Sequence, residues 1–196
     1  MKNAIADAAL DQLFRAAHTA HGFLPEPVAD ATLHALHDLL KWAPTAFNSQ
    51  PARFVFLRSA AAKERLKPTL SPSNVAQTMA APVTVIVALD TRFFDHLPAQ
   101  YPAYDARPLY AGNAALALAT AQRNGTLQGG YLILAARALG LDCGPMSGFD
   151  AAAVDAAFFP DGQFKSNFLV NLGTADPARN YPRGPRLSFA EAAEIL

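Results

Sequence analysis

Four short polar segments hold the side chains and small residues from which chemistry could be built. The first, Ala17-His-Thr-Ala-His-Gly22, groups two imidazoles and a hydroxyl at a helix end. There they can hydrogen-bond a phosphate, although ordinary surface residues are the other reading of the same stretch. The second, Pro44-Thr-Ala-Phe-Asn-Ser-Gln-Pro51, is a polar loop that feeds straight into Arg53-Phe-Val-Phe-Leu57. Loops held by a strand are common places for binding sites. The third, Ser73-Asn-Val-Ala-Gln77, sets Asn74 and Gln77 three apart, on one face of a helix. The fourth, Gly144-Pro-Met-Ser-Gly148, has small residues that let backbone N–H groups come close to a planar ligand.

Other chemistries lack their residues. No G-x-G-x-x-G follows a strand and no G-x-x-x-x-G-K-[ST] occurs, so neither a Rossmann dinucleotide site nor a P-loop is supported. There is no H-E-x-x-H. His34 and His37, three apart with only Asp38 beside them, read as a solvated helix face rather than a metal site. Ser147 lacks the first glycine of a nucleophile elbow, and no histidine follows His96 to complete a Ser, Asp, His order. Cys143 is the only cysteine, which removes intrachain disulfides and multi-cysteine metal sites.

The elements that must position these segments follow from periodicity. A first helix is expected over 4–19, with Ile5, Leu10, Leu13 and Phe14 on one face, and a second from Asp30, read as an N-cap, to Trp42. Strands are expected at 53–57, 83–89, near 141–143 and at 168–172, with helices at 60–67 and 151–158. Residues 90–108, where aromatics alternate with prolines, read as a long functional or covering loop. Two helices, 109–123 and 126–139, are expected next, with Asn124-Gly125 as the joint, and Gly144 to Asp150 reads as a turn. Helices and strands mix without a regular βαβ alternation, so the fold class is α+β. The 196 residues form one domain, 1–196, with no internal repeat or linker.

Composition narrows the partners. Sixteen basic residues balance sixteen acidic ones, which removes the basic field of a nucleic-acid binder. The chain is 52% hydrophobic and 16% charged, an excess that an oligomer interface would explain and that abundant alanine also explains. The longest apolar run, Val83 to Leu89, is far too short to span a bilayer, and the first residues do not read as a secretory signal. A cytoplasmic protein with no membrane and no nucleic-acid partner is the expectation.

The order and wording of the four segments resemble the FMN-dependent nitroreductase superfamily. Ala-Pro-Thr-Ala-Phe-Asn-Ser-Gln-Pro-Ala-Arg-Phe-Val-Phe, Gly-Leu-Asp-Cys-Gly-Pro-Met-Ser-Gly-Phe-Asp and Lys-Ser-Asn-Phe-Leu-Val-Asn-Leu-Gly are similar to its malonic semialdehyde reductase branch, which belongs to pyrimidine utilisation. The resemblance runs from about residue 10 to the C-terminus. It implies a central, mostly antiparallel sheet flanked by helices, in an intertwined homodimer with FMN at the interface. It also implies a family phosphate-binding segment at His18, Thr19 and His21, where many members have Arg, Ser and Arg or Lys. Histidine lacks the always-charged bidentate fork of arginine, so the phosphate grip becomes weaker or pH-dependent and Arg186, with Arg183, must supply more charge. Phe47, Asn48 and Gln50 are implied flavin contacts from the partner subunit. Asn74 and Gln77 match the pair at the pyrimidine edge, and Met146, Ser147 and Gly148 match the turn facing the reactive side of the ring.

The implied chemistry needs no acid, base or nucleophile from the protein, because the flavin carries the hydride. NADH or NADPH reduces the flavin transiently and leaves, and a small carbonyl or nitro substrate takes its place in ping-pong order. For the branch resembled, that substrate is malonic semialdehyde, reduced to 3-hydroxypropanoate. Arg107 is the candidate for its carboxylate, ahead of Arg53, and Tyr104 with Tyr101 either closes over the flavin or packs at the dimer interface. A broad nitroreductase or quinone reductase is the nearest competing reading. A flavin-binding protein without turnover is a competitor of another class.

Overall fold

A computed structural model describes residues 3–196, so the first two residues of the expected domain lie outside the described residues. In chain order the elements are α1 (Asp7–Leu10, continued by a π-helical turn Asp11–Arg15), α2 (Asp30–Leu40), β1 (Ala52–Leu57), α3 (Ala60–Leu66), α4 (Pro72–Ala80), β2 (Val83–Asp90), α5 (Leu97–Gln100), α6 (Arg107–Ala111), α7 (Ala114–Ala138), β3 (Asp142–Met146), α8 (Ala151–Phe158), β4 (Phe164–Gly173) and α9 (Phe189–Ala192). The four strands form one sheet of order β1-β2-β4-β3 in which every pairing is antiparallel. The α+β class and the mostly antiparallel sheet are those expected from the sequence.

The sheet is covered on both faces, which explains why all eight residues of β2 are buried. Side chains alternate across a strand. Val83, Val85 and Val87 therefore pack with Leu36 and Leu40 of α2 and Leu132 and Ala136 of α7. Ile86 and Ala88 face the other way, onto Leu66, Val154 and Phe159. Local caps hold the covering helices: Ser59 accepts from the Ala62 N–H, Asn113 from Leu116 and Asp150 from Ala153. Asp30 is not such a cap, because α2 is preceded by an extended Ala29 and Asp30 is already its first residue.

The expected joint at Asn124-Gly125 is absent. α7 runs unbroken through 25 residues, from Ala114 to Ala138. A Cβ on Gly125 would collide with the end of the Leu89 side chain, and one on Gly129 with the Phe168 ring. These glycines mark where the helix presses on the sheet, a packing reason that a helix-breaking reading misses. Residues 90–108 also depart from an irregular loop, forming helical turns at Phe93–His96 and in α5. Buried Phe93, Leu97, Ala106 and Tyr110 pack there against Ala117 and Ala121 of α7. The expected 144–150 turn begins later, since Gly144 to Met146 pair with β4 as the end of β3. The N-terminal helix stops at Arg15, short of the residue 19 expected, and has no buried residue.

Gly129→Ala forces a methyl group into the Phe168 ring. The variant is expected to lose about 1–3 kcal/mol despite alanine's better helix propensity, measured as a lower urea midpoint at unchanged slope.

Candidate functional site

The first segment and the tail meet at one cavity. A space of about 220 Å³ is lined by His18, Thr19, His21, Arg137, Arg183 and Arg186, with no carboxylate among its lining residues. The segment is positioned by β3: Thr19 bridges Cys143 in parallel, and the Ala20 N–H donates to the Cys143 carbonyl at 2.9 Å. The tail is held back onto it. Arg183 donates to the Ala17 carbonyl at 2.6 Å, and the Tyr181 ring meets the His21 ring edge-on with centroids 4.7 Å apart. Arg186 turns on its own loop, donating to the carbonyls of Gly184 and Pro185.

Arg137 is the residue that sequence reading missed. It sits in the last turn of α7, where a cation opposes the negative end of the helix dipole, and donates to the Leu13 carbonyl at 2.9 Å. Nothing in its local sequence sets it apart from a surface arginine. Only the packing of α7 brings it beside segments more than a hundred residues away on one side and more than forty on the other. The cavity thus holds three guanidinium groups and two imidazoles, a donor set that suits an anion and compensates the absence of arginine at positions 18 and 21.

The third and fourth segments also meet. Asn74 and Gln77 lie on α4, where Gln77 donates to the Asn74 Oδ1 at 2.7 Å and Asn74 donates to the Gly148 carbonyl at 2.8 Å. A Cβ on Gly148 would stand 2.6 Å from the Asn74 Nδ2, so the small residue is required for this approach. Met146 ends β3 beside it and Ser147 is exposed. Lys63, buried, stands at the end of α4 and donates to the carbonyls of Thr78, at 2.7 Å, and Ala81. Burial pushes its ammonium down to about 8. Cys143 is buried as well, and burial pushes its thiol up to about 12, which leaves it unreactive.

The second segment lies elsewhere. Phe47, Asn48 and Gln50 all have positive φ, at 52°, 51° and 41°. Left-handed backbone at three non-glycine residues stores strain that the surroundings must hold. Asn124 accepts from the Ala46 N–H and Gln128 from the Ala52 N–H, both at 2.9 Å. Asn48 donates to the Gln100 carbonyl, and Phe47 packs against Tyr101, Tyr104 and Tyr110. Ser49 Oγ is buried with no hydrogen-bond partner among the described residues. Tyr104 therefore joins this segment. Arg107 is paired with Asp95 at 3.1 Å, and hydrogen bonds from Arg92 and then Arg107 hold that carboxyl below the usual range. Arg53 pairs with buried Asp90 at 2.6 Å.

One chain does not bring all four segments together. Cys143 pairs through Leu172 with Val83, whereas Ala52 pairs with Leu89, so the two sites sit at diagonal corners of the sheet. That separation is about 14 Å across the strands and about 20 Å along them. A larger cavity, about 560 Å³ between α2 and β1, includes Gln50 and Arg53 but none of the other expected contacts. His34 and His37 line it, and among the described residues no cluster of His, Cys, Asp and Glu is placed to hold a metal. No described helix is long and apolar enough to cross a membrane.

Comparison with solved structures gives the class first. A provisionally assigned nitroreductase of Bacillus subtilis superposes with a TM-score of 0.86 over 97% of this chain and 100% of its own, at 24% identity. One from Exiguobacterium sibiricum, solved in complex with FMN, superposes with a TM-score of 0.85 over 100% and 99%, at 20% identity. The fold is therefore the nitroreductase fold. The model of the nitroreductase family matches residues 14–173, and a Burkholderia lata protein is 60% identical over 97% of this chain and 98% of that one. The chain belongs to the nitroreductase family, a family of oxidoreductases. The Burkholderia protein carries the provisional name NADH dehydrogenase/NAD(P)H nitroreductase.

Lys63 makes stability depend on pH with a definite sign. Its folded pKa of about 8 lies below the ordinary 10.5, so the unfolded chain binds the proton more tightly between those values and stability rises with pH across that window. The stability of the wild type relative to Lys63→Met is expected to rise between pH 7.5 and 10.5, by up to about 1.4 kcal/mol per pH unit, read by urea denaturation at both ends of the range.

Proposed function

We propose that this chain is an FMN-dependent NAD(P)H oxidoreductase that works as a homodimer. The observation that carries the reading is the cavity in which His18, Thr19, His21, Arg137, Arg183 and Arg186 converge without an acid. It is joined by β3 to the pair Asn74 and Gln77 and the turn Met146 to Gly148. The first group fits a phosphate. The second offers amide donors and acceptors together with a close-approach backbone, which fits the polar edge and face of a flavin ring. When bound, FMN supplies the capacity to accept a hydride from a nicotinamide and pass it to a second substrate. The protein's part is to hold the phosphate with guanidinium and imidazole donors, to orient the ring through Asn74 and Gln77, and to present backbone N–H groups from 146–148. The FMN complex of the Exiguobacterium protein and the name of the Burkholderia protein support both cofactors.

The diagonal placement of the segments supports the dimer. Phe47, Asn48 and Gln50 reach a flavin held at the opposite corner only when a second copy brings them there. Leu116, Leu118 and Leu127 are exposed along α7, as an interface would require. The sequence resemblance supports malonic semialdehyde as the second substrate, with Arg107 receiving its carboxylate in competition with Asp95 and Tyr104 covering the site beside Phe47. The name of the 60% identical relative favours a second reading, a nitroreductase of broad specificity.

Protein reconstituted with FMN is expected to absorb in the near-UV and blue and to bleach on anaerobic addition of NADH or NADPH. Bound FMN that does not bleach under either donor overturns the enzyme reading. Comparing kcat/KM on malonic semialdehyde with that on a nitroaromatic separates the two substrates, the aldehyde being favoured if the resemblance holds. Arg137→Ala is expected to weaken FMN binding by about 10–100-fold, the worth of a charge-assisted hydrogen bond, measured by fluorescence titration.

A further inference from the structure

The Lys-Ser-Asn-Phe-Leu-Val-Asn-Leu-Gly stretch carries near its end an asparagine, Asn171, that none of the contacts above uses. Asn171 lies near the end of β4, fully buried, between Thr84 of β2 and Gly144 of β3. An amide in the middle of a sheet has to be hydrogen-bonded or it destabilises the core. Asn171 is engaged on both sides. Thr84 Oγ1 donates to its Oδ1 at 2.7 Å, and its Nδ2 donates to Thr78 Oγ1 at 3.3 Å. The Thr78 hydroxyl in turn points its proton at the Met146 sulfur, 3.5 Å away. Thr78 and Thr84 are themselves fully buried.

The chain of bonds runs in one direction and spends the single proton of each hydroxyl. It begins in the centre of the sheet and ends on the residues assigned to the ring. Thr78 follows Gln77 directly and lies one helical turn beyond Asn74, while Met146 begins the 146–148 turn. Asn74 already grips the Gly148 carbonyl at the other end of that turn. The helix α4 is therefore tied to the end of β3 at two levels, and the inner tie is referenced to β2 and β4. Apolar residues of the same shape would fill this space equally well, but they would leave α4 free to slide or rotate against β3. Directional bonds do not.

We infer that Asn171, acting through Thr78, is a positioning residue for the flavin site: it sets the height of Asn74 and Gln77 on α4 relative to Met146 and Gly148. The inference rests on the FMN reading above. It assigns a role to a buried polar triad, Thr84, Asn171 and Thr78, in which no member touches the ring.

The test separates position from mere stability. Asn171→Leu alone strands the buried Thr84 hydroxyl and takes away the donor to Thr78, and is expected to lower the melting temperature and to weaken FMN binding. The triple variant Thr78→Val, Thr84→Val, Asn171→Leu removes every partner together and is expected to recover most of the melting temperature, because no polar group is left unpaired. FMN affinity by fluorescence titration and the visible absorption envelope of the bound flavin are then compared with wild type. A positioning role keeps the triple variant about tenfold weaker for FMN, with a shifted envelope, although most of its stability is recovered. A triple variant of wild-type stability with wild-type affinity and envelope overturns the assignment, and so does one that regains affinity in proportion to its stability. Failure of the wild-type chain to bind FMN at all would overturn the flavin reading first, and the assignment with it.

Discussion

The close approach of α7 to the sheet is the constraint on which the rest of the structure depends. Gly125 and Gly129 let the helix backbone rest on Leu89 and Phe168. Between and beside them, Asn124 and Gln128 reach out to the N–H groups of Ala46 and Ala52. The same turn and a half of helix therefore closes the core and fixes the strained loop that enters β1. Were the helix an ångström or two further out, those amides would lose their acceptors. Three left-handed residues would then have little to hold them, since each costs about 1–3 kcal/mol that neighbouring bonds must offset.

The helix also carries Arg137 to the far end of the molecule. There it joins the histidines after α1 and the arginines of the tail around a cavity with no acid. His18 and His21 lack the always-charged fork of arginine, which looks like a loss when read along the chain. In three dimensions the positive charge is redistributed, with two guanidinium groups from the tail and one from the helix facing the same space. Affinity for an anion depends on the charges around it and not on which segment supplies them.

Polar groups inside the core serve position as much as stability. Asp90 holds Arg53, Lys63 closes the end of α4, and Asn171 links Thr84 of the sheet to Thr78 of α4. Each is satisfied by hydrogen bonds, which is the condition for keeping it there. Together they specify where β1 and α4 stand, the two elements that carry the opposite halves of the proposed flavin site.

Much of this was legible in the residues. The apolar run 83–89 marked the central strand because side chains buried on both faces leave no polar alternation. The family resemblance rested on segments whose wording is local, and three of the four lie in contact with one another in the fold. The misreadings share one cause. Asn124-Gly125 looks like a break, and Gly144-Pro145 like a turn, when judged by intrinsic preference. The first is a contact surface and the second a strand, because packing against Leu89 and pairing with β4 outweigh a propensity worth about 1 kcal/mol. The sequence by itself thus determined the fold class, the central strand and the polar segments, all of which depend on neighbours along the chain. Only the tertiary structure decided that α7 is continuous, that Arg137 lines the same cavity as His18 and His21 and that the Thr45 to Gln50 loop lies at the opposite corner of the sheet, since these depend on distances between residues that the chain order does not contain.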